Sequence, residues 1–551
     1  MHSHIRPNQF CVLQLPSDQR RIIKLEPNTT VHLGKYGNFA ANQVIGRPFY
    51  LTFEIQDTAE ADGYKLRVVS ATELHAENLI EEAEGDEDGD KEGDGDESGE
   101  GTPMRTNQTI VDSNSTQRLT WQEIEDLKKE AGGSGKDIIA KIMESHSAID
   151  QKTAFSLAKY TLRKRKKYIK RFTIVPLDVS TLANYMLHEK DASKTMEMRD
   201  EHIGLLGCFG NVHHSGGSPL EVVPDVKPNG RYIVVDETGG LIVAAMAERM
   251  GILYPHDKDK DEEQGSAVEE QTENPEESKD TRRQYIRPMS ASNNTLTVIH
   301  AQTQPNLSLL KFFGYDTSAP DESHPLHTHL KSITWLQLVD PSRDPILATE
   351  PPVIPAEELA EMKTNKRAAY YFKRNRYQKV KSVSDEARAG EFDGLIAGTL
   401  FDPASVLKHV VPLLSGSSQV SIYSPYIEPL VQLMDYYSTG RRTAWINKKR
   451  DLESRKSTDG PVDLSSLYEE FTVNPTLLLP PTLHHARVRG WQVLPGRTHP
   501  LMTGRGGAEG YLFHGTRVIP HEEAIQAAGT FRKKRKLETS TPTSDRDVVM
   551  S

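Results

Sequence analysis

The sequence predicts an α/β protein with two parts. A small N-terminal β-barrel-like domain with a helical basic extension comes first, and a larger Rossmann-like domain follows. Two patterns carry the prediction. Short apolar runs separated by turn residues fill the stretch from about Phe10 to Val69. From Arg231 onward, apolar strands alternate with amphipathic helices, as in a doubly wound parallel sheet. The expected boundaries are 1–75 for the β domain, 76–118 for an acidic insertion and 119–175 for the helical extension. The Rossmann-like domain then covers 176–520, interrupted at about 257–284, and 521–551 form a basic tail.

In the β domain the strands read as FCVLQL, RRIIKL, TTVHLGKYG and FYLTFEIQ, broken by PSDQ, EPN and IGRP. EEAEGDEDGDKEGDGDESGEG, Glu81 to Gly101, has no apolar surface to bury and repels itself, so it is expected to be disordered. Helical signal begins at Leu119, where Thr120 with Glu123 three positions later makes a capping box. The segment ends in a dense run of cations from Arg163 to Arg171, interleaved with Tyr160 and Tyr168, before FTIVPL leads out as a strand.

The second domain opens with RYIVVDETGGLIVAAMAERMG, Arg231 to Gly251: a buried strand, an acidic turn with two glycines, and a small-residue helix. Asp257 to Thr281 is a second polar insertion. TLTVIHAQ, SITWLQLVD, FDGLIAGTLFDP and QVSIYSPY supply strands two to five, with helices PASVLKHVVPLL and EPLVQLMDYYSTG between and after the last pair. HHARVRGWQVLPGRTHPLMTGRGGAEGYLFHGTRV reads as two strands around a glycine-rich turn, an antiparallel hairpin at the sheet edge.

Composition narrows the class. Formal net charge is −11, but the charge is segregated into blocks, so the average does not exclude a polyanionic partner. Cys11 and Cys208 are too few for a disulfide framework or a zinc cluster and suit a reducing compartment. No run is long enough to cross a bilayer, which predicts a soluble intracellular protein without a membrane partner.

The strand–turn–helix unit has the shape of a nucleotide- or S-adenosylmethionine-binding motif. A cofactor cradle needs spaced glycines so that backbone N–H groups approach the ligand. Here Asp236-Glu237-Thr238-Gly239-Gly240-Leu241 has adjacent glycines and no third, with Ile242 and Val243 following. It reads as a degenerate cofactor loop; either Asp236 or Glu237 takes a ligand group, or the unit only packs. Asp402-Pro403 ends the fourth strand, where substrate groups sit in open sheets, but Asp402 equally suits an N-cap. His324, His327 and His329, with the pairs His213–His214 and His484–His485, lack a metal-ligand frame, so no metal is expected. RKRKKYIKR and KRAAYYFKRNRYQKVK, Lys366 to Lys381, mix cations with aromatics, which suits folded RNA as well as a solvated helix face. RKKRK, Arg532 to Lys536, reads as a nuclear-localisation signal.

Taken in order, IVDSNSTQRLTWQEIEDLKKE, KTAFSLAKYTLRKRKKYIKRFTIV, MRDEHIGLLGCFGNVH, VVDETGGLIVAAMAERMG, FDGLIAGTLFDP and WQVLPGRTHPLMTGRGGAEGYLFHGTRV resemble the non-catalytic subunits of eukaryotic tRNA (adenine(58)-N(1))-methyltransferases, of fungal type. The resemblance runs from about residue 10 to 520, outside the insertions and tail. It implies a methyltransferase-type Rossmann domain and no cofactor on this subunit. It further implies a catalytic paralogue that uses S-adenosylmethionine, in a heterotetramer of two copies of each, acting on tRNA in the nucleus. Lys164, Arg165, Lys166, Lys167 and Lys170 would then contact RNA, as would Lys373, Arg374 and Arg376 of the second basic block. Arg497 and His499 either contact RNA or hold the hairpin. The rival reading is an active methyltransferase using Asp236, Glu237 and Asp402.

Overall fold

A computed structural model describes residues 3–17, 19–60, 63–74, 119–120, 122–124, 126, 135–146, 154–214, 230–254, 294–454, 465–494, 497–500 and 508–521. The acidic runs at Glu81 to Gly101 and Asp257 to Thr281 and the basic tail from Arg532 to Lys536 lie outside these residues. The described residues up to Val518 form one compact unit.

Strands β1 (Gln9–Gln14), β2 (Arg20–Leu25), β5 (Thr52–Glu60), β6 (Gly63–Val68) and β7 (Arg171–Pro176) form an antiparallel sheet ordered β2-β1-β7-β5-β6. A ribbon of β3 (Thr30–His32) and β4 (Asn38–Ala40) accompanies it. The described strands therefore form an open sheet and a separate ribbon, not one closed barrel. β7 corrects the boundary expected at residue 175. FTIVPL does not lead out of the first domain but is its central strand. Alternation explains why: Phe172 and Ile174 face the N-terminal core, and Phe172 stacks on Phe39 at 4.7 Å and Phe53 at 5.5 Å. The partners lie more than a hundred positions upstream, so no local pattern announces them.

The excursion between β6 and β7 carries α1 (Gly135–Glu144) and α2 (Ala154–Tyr168), numbering only helices of eight residues or more. Ile138, Ile139 and Ile142 pack on Tyr168. Gly135 is needed there, since a Cβ would stand 2.6 Å from the Tyr168 carbonyl oxygen. The capping box forms upstream: Glu123 N–H donates to Thr120 Oγ1 at 3.3 Å and Thr120 N–H to Glu123 at 2.7 Å.

Seven strands make the second sheet: β8 (Arg231–Asp236), β9 (Thr295–His300), β10 (Leu330–Thr334), β11 (Phe392–Gly398), β12 (Leu414–Ser424), β13 (Leu478–His485) and β16 (Tyr511–Arg517). Their order is β10-β9-β8-β11-β12-β16-β13, with only β16 antiparallel to its neighbours. This is the doubly wound plan with an antiparallel closing edge. The order reverses between β8 and β11, which puts the switch point at their carboxyl ends. Tyr232 and Val234 face one core and Ile233 and Val235 the other, so both faces are buried, as the continuous apolar run predicts. Helices α3 (Val179–Glu189), α4 (Asp200–Phe209) and α5 (Leu241–Arg249) cover the first face. Helices α6 (Thr364–Ala389), α7 (Pro403–Val410) and α8 (Glu428–Tyr436) lie on the second, and α9 (Thr439–Ser454) follows.

Two details differ from the sequence reading. The third strand stops at Thr334, because Thr334 and Gln337 form a capping box that starts a helical turn over WLQLV. QVLPGRTHP is a separate ribbon, β14 (Trp491–Leu494) with β15 (Arg497–Pro500), in the chain between β13 and β16.

Candidate functional site

The crevice at the end of β8 is built from a turn that uses its own polar groups. Asp236 is buried; its Oδ1 accepts from Thr238 N–H at 2.7 Å and Thr238 Oγ1 at 2.6 Å, and its Oδ2 from Val243 N–H at 3.0 Å. Thr238 Oγ1 in turn accepts from Ile242 N–H at 3.2 Å. First-turn amides of α5, which at an anion-binding helix terminus would point at a ligand, are thus engaged by the chain itself. Burial pushes the Asp236 carboxyl up, against the opposing pull of those hydrogen bonds. Glu237 ties the turn to β11, its Oε2 accepting from Thr399 Oγ1 at 3.1 Å and Leu400 N–H at 2.6 Å.

Both glycines are conformational: φ is +73° at Gly239 and +94° at Gly240, where L side chains are strained. The space beside them is taken. A Cβ on Gly240 would stand 3.0 Å from Leu307 Cα, and one on Gly239 3.6 Å from Leu309 Cγ. Leu309 N–H also donates to the Gly239 carbonyl at 3.0 Å, fixing the 3-10 turn Ser308–Phe313 over the loop. On the β11 side the Ile242 methyl lies against Gly398, 2.4 Å from where a Cβ would be. These residues do not fit a nucleotide-like cofactor: the glycines that would admit one are covered by leucine and isoleucine.

Asp402 is exposed and caps α7, accepting from Ala404 N–H at 3.2 Å. Its cap role is the one seen. Two of the histidines are held by the fold. Leu326 N–H donates to His324 Nδ1 at 3.1 Å, and His329 Nδ1 pairs with the Asn294 carbonyl at 2.6 Å. Among the described residues no group of three or more His, Cys, Asp and Glu is placed to hold a metal ion. Cys11 is buried, its thiol pushed up to about 12 by burial, and Cys208 is exposed; both are free thiols.

The basic blocks differ from each other. On α2, Lys164 is half-buried with its Nζ 4.9 Å from the Tyr160 ring centroid, and burial and Lys167 lower its pKa. Lys167 is exposed, 5.3 Å from the Tyr168 ring. Arg165 and Lys170 are half-buried. The Lys166 side chain lies outside the described residues. Arg171, part of the same run, is buried and paired with Glu54 at 2.8 Å and Glu73 at 2.9 Å, so it holds the β domain together.

On α6 only Tyr377, Ser384 and Ala387 are buried, so no residue in the first half of this 26-residue helix is fully buried. Lys373 and Arg376 are exposed, beside Tyr371 at 47 % and Phe372 at 71 % exposure. Arg374 is half-buried and donates to Tyr370 Oη at 2.8 Å. Lys366, Lys373, Arg376 and Lys379 have no ion-pair partner among the described residues. Arg497 lies on β15 opposite Leu494, with its side chain outside the described residues, while His499 Nδ1 meets the Pro500 carbonyl at 3.0 Å. Helix α9 carries a basic stretch the sequence reading passed over, RRTAWINKKR. Its cations are largely engaged: Arg441 with Asp435 at 3.0 Å, Lys449 with Glu453 at 3.7 Å, and Lys448 with Glu470.

Comparison with known proteins adds the following. The Gcd10p family model matches residues 4–363. A protein of Aspergillus oryzae named tRNA (adenine(58)-N(1))-methyltransferase non-catalytic subunit trm6 is 59 % identical, over 99 % of this chain and 98 % of its own length. Its namesake in Aspergillus fumigatus is 57 % identical over 98 % of each chain. That of Schizosaccharomyces pombe is 29 % identical over 98 % of this chain and 97 % of its own.

Proposed function

The chain belongs to the Gcd10p family, and we propose that it is the non-catalytic subunit of a tRNA (adenine(58)-N(1))-methyltransferase. In this reading it is not itself an enzyme. A catalytic paralogue binds S-adenosylmethionine and transfers the methyl group, and two copies of each subunit assemble. This chain contributes scaffold and tRNA-binding surface, and the complex works in the nucleus.

One observation carries the non-catalytic assignment: the turn at the end of β8 is closed by Asp236, Leu307 and Leu309 of the same chain. The rival reading needs Asp236, Glu237 and Asp402 available to cofactor and base. All three are engaged in holding turns and a helix end. The RNA surface is assigned to Lys164, Arg165, Lys166, Lys167 and Lys170 on and after α2 and to Lys373, Arg374 and Arg376 on α6, with Arg497 on the ribbon. On α6 the exposed Lys373 and Arg376, beside the exposed rings of Tyr371 and Phe372, favour phosphates and unstacked bases together.

Calorimetric titration of S-adenosylmethionine tests the reading, into this chain alone and into its complex with the catalytic paralogue. The expected result is no binding heat from this chain and a stoichiometry in the complex equal to the paralogue's copies. An isotherm from this chain alone overturns it.

A further inference from the structure

The 3-10 turn Ser308–Phe313 has two sides. Leu309 is buried over the glycine turn, while Lys311 and Phe312 face the N-terminal sheet across a cleft of about 420 Å³. Arg6, Phe10 and Lys24 form the opposite wall, and Tyr254, also lining the cleft, packs edge to face on Phe313 at 5.9 Å. Phe10 and Phe312 meet edge to face, centroids 5.4 Å apart at 87°, and both are half-buried, so part of each ring is open. Lys311 is exposed, its Nζ 5.4 Å from the Phe312 centroid, and has no ion-pair partner among the described residues. Lys24 is held by Glu26 at 2.9 Å, and Asp316 at the rim, which accepts hydrogen bonds from Ser318, also attracts the Lys311 ammonium. A wall of aromatic rings with cations at its edge, on a chain of net charge −11, matches one chemistry well: a flat base joined to a phosphate. The volume lies within the range of about 300–1,000 Å³ usual for small-ligand pockets, enough for one nucleotide but not for a duplex.

We propose that this cleft receives one unstacked nucleotide of the bound tRNA, its base on the Phe312–Phe10 pair and its phosphate at Lys311. The inference rests on the RNA-binding reading above and names a contact site that neither basic helix supplies. The turn that closes the former cofactor crevice thereby furnishes a nucleotide site on its other side. Single-stranded loops and elbows expose such bases, whereas paired helices do not.

The test uses full-length chain purified with its catalytic partner and an unmodified tRNA transcript. Phe312→Leu keeps the apolar packing and removes the ring; Lys311→Glu reverses the exposed charge. Assembly and melting temperature are recorded for both, so that misfolding is recognised. Loss of the ring is expected to weaken tRNA binding by about tenfold. Ultraviolet crosslinking should place RNA on the Phe10 or Phe312 peptide of the unaltered complex, and Phe312→Leu should remove the Phe312 adduct. Lys311→Glu should lower the salt slope by about one. Unchanged affinity in both variants, with binding still weakened by charge reversal on α6, overturns the cleft and leaves the RNA surface standing. No effect from either cleft variant or from α6 reversal removes the RNA-binding reading and this inference together. Phe312-dependent binding of AMP to the RNA-free complex, with tRNA affinity unchanged, makes a free nucleotide the ligand and overturns tRNA as its source.

Discussion

The turn after β8 and the first half of α6 treat polar groups in opposite ways. At the turn, the Asp236 carboxylate, the Thr238 hydroxyl and the first amides of α5 satisfy one another out of water. On α6, Lys366, Lys373, Arg376 and Lys379 extend into solvent without ionic partners among the described residues. A buried polar group must find a partner, because leaving it unmade costs about 1–3 kcal/mol. An exposed cation has no such obligation and remains available to a ligand. A site can therefore keep the outline of a binding motif while its binding capacity resides elsewhere.

The largest expected effect breaks the closed side of this contrast. Asp236→Ala removes the acceptor for two backbone N–H groups and one hydroxyl in a fully buried turn. The expected loss is ~3 kcal/mol or more of stability, read from urea denaturation, since several buried donors are orphaned at once. A loss under ~1 kcal/mol would mean that water reaches the turn, and the crevice would then be open. Reversing Lys366, Lys373, Arg376 and Lys379 to Glu tests the open side. Binding of tRNA to the complex is expected to fall by about a hundredfold or more in low salt, with the salt slope reduced by roughly 0.9 per lost contact. The melting temperature should barely move, because those side chains pack against nothing.

Much of this contrast could be read from the sequence. The adjacent Gly239–Gly240, with Ile242 and Val243 behind, already indicated a cradle without room. What covers it, Leu307 and Leu309, lies some seventy positions away, with the insertion intervening and no motif marking it. The doubly wound sheet was legible because buried parallel strands read as continuous apolar runs. The central place of β7 was not, since pairing with β1 and β5 is non-local. The basic blocks were visible as charge runs, but composition does not separate an Arg171 locked between Glu54 and Glu73 from a Lys373 in solvent. Only burial divides structural cations from available ones.

A smaller effect sharpens the contrast through pH. His202 on α4 is fully buried, near Arg199, Tyr423 and His485, and its pKa is lowered to about 4, first by burial and then by Arg199 and His485. The unfolded chain, with His near 6.5, binds more protons below that pH. The contribution is therefore full above about pH 6.5 and is lost as pH falls towards 4. Between pH 7 and pH 5 the loss amounts to ~2 kcal/mol. Urea midpoints at pH 7 and pH 5 should differ in the natural chain and differ less in His202→Gln. An equal pH dependence in the two proteins would place a charged, solvated histidine there instead.

The smallest effect concerns Asp402, where chemistry and capping predict the same residue type. It stands just past the carboxyl end of β11, next to Leu400, which is 75 % exposed, and so occupies the place from which a substrate-handling carboxylate would act in an open sheet. Its carboxylate instead accepts from Ala404 N–H, with Pro403 as the first residue of α7, where no N–H is needed. Asp402→Ala should therefore cost about 1 kcal/mol, the usual worth of an N-cap, and Asp402→Ser should restore most of it. Serine replaces the cap oxygen but not the charge or the basicity. If the residue handled a base, both variants would lower methyl transfer by the complex by about a hundredfold, the usual scale for a lost general base. With a cap role the transfer rate stays unchanged in both, and stability alone distinguishes alanine from serine. The pair of variants thus separates position from function at the place where the closed crevice most resembles an active one.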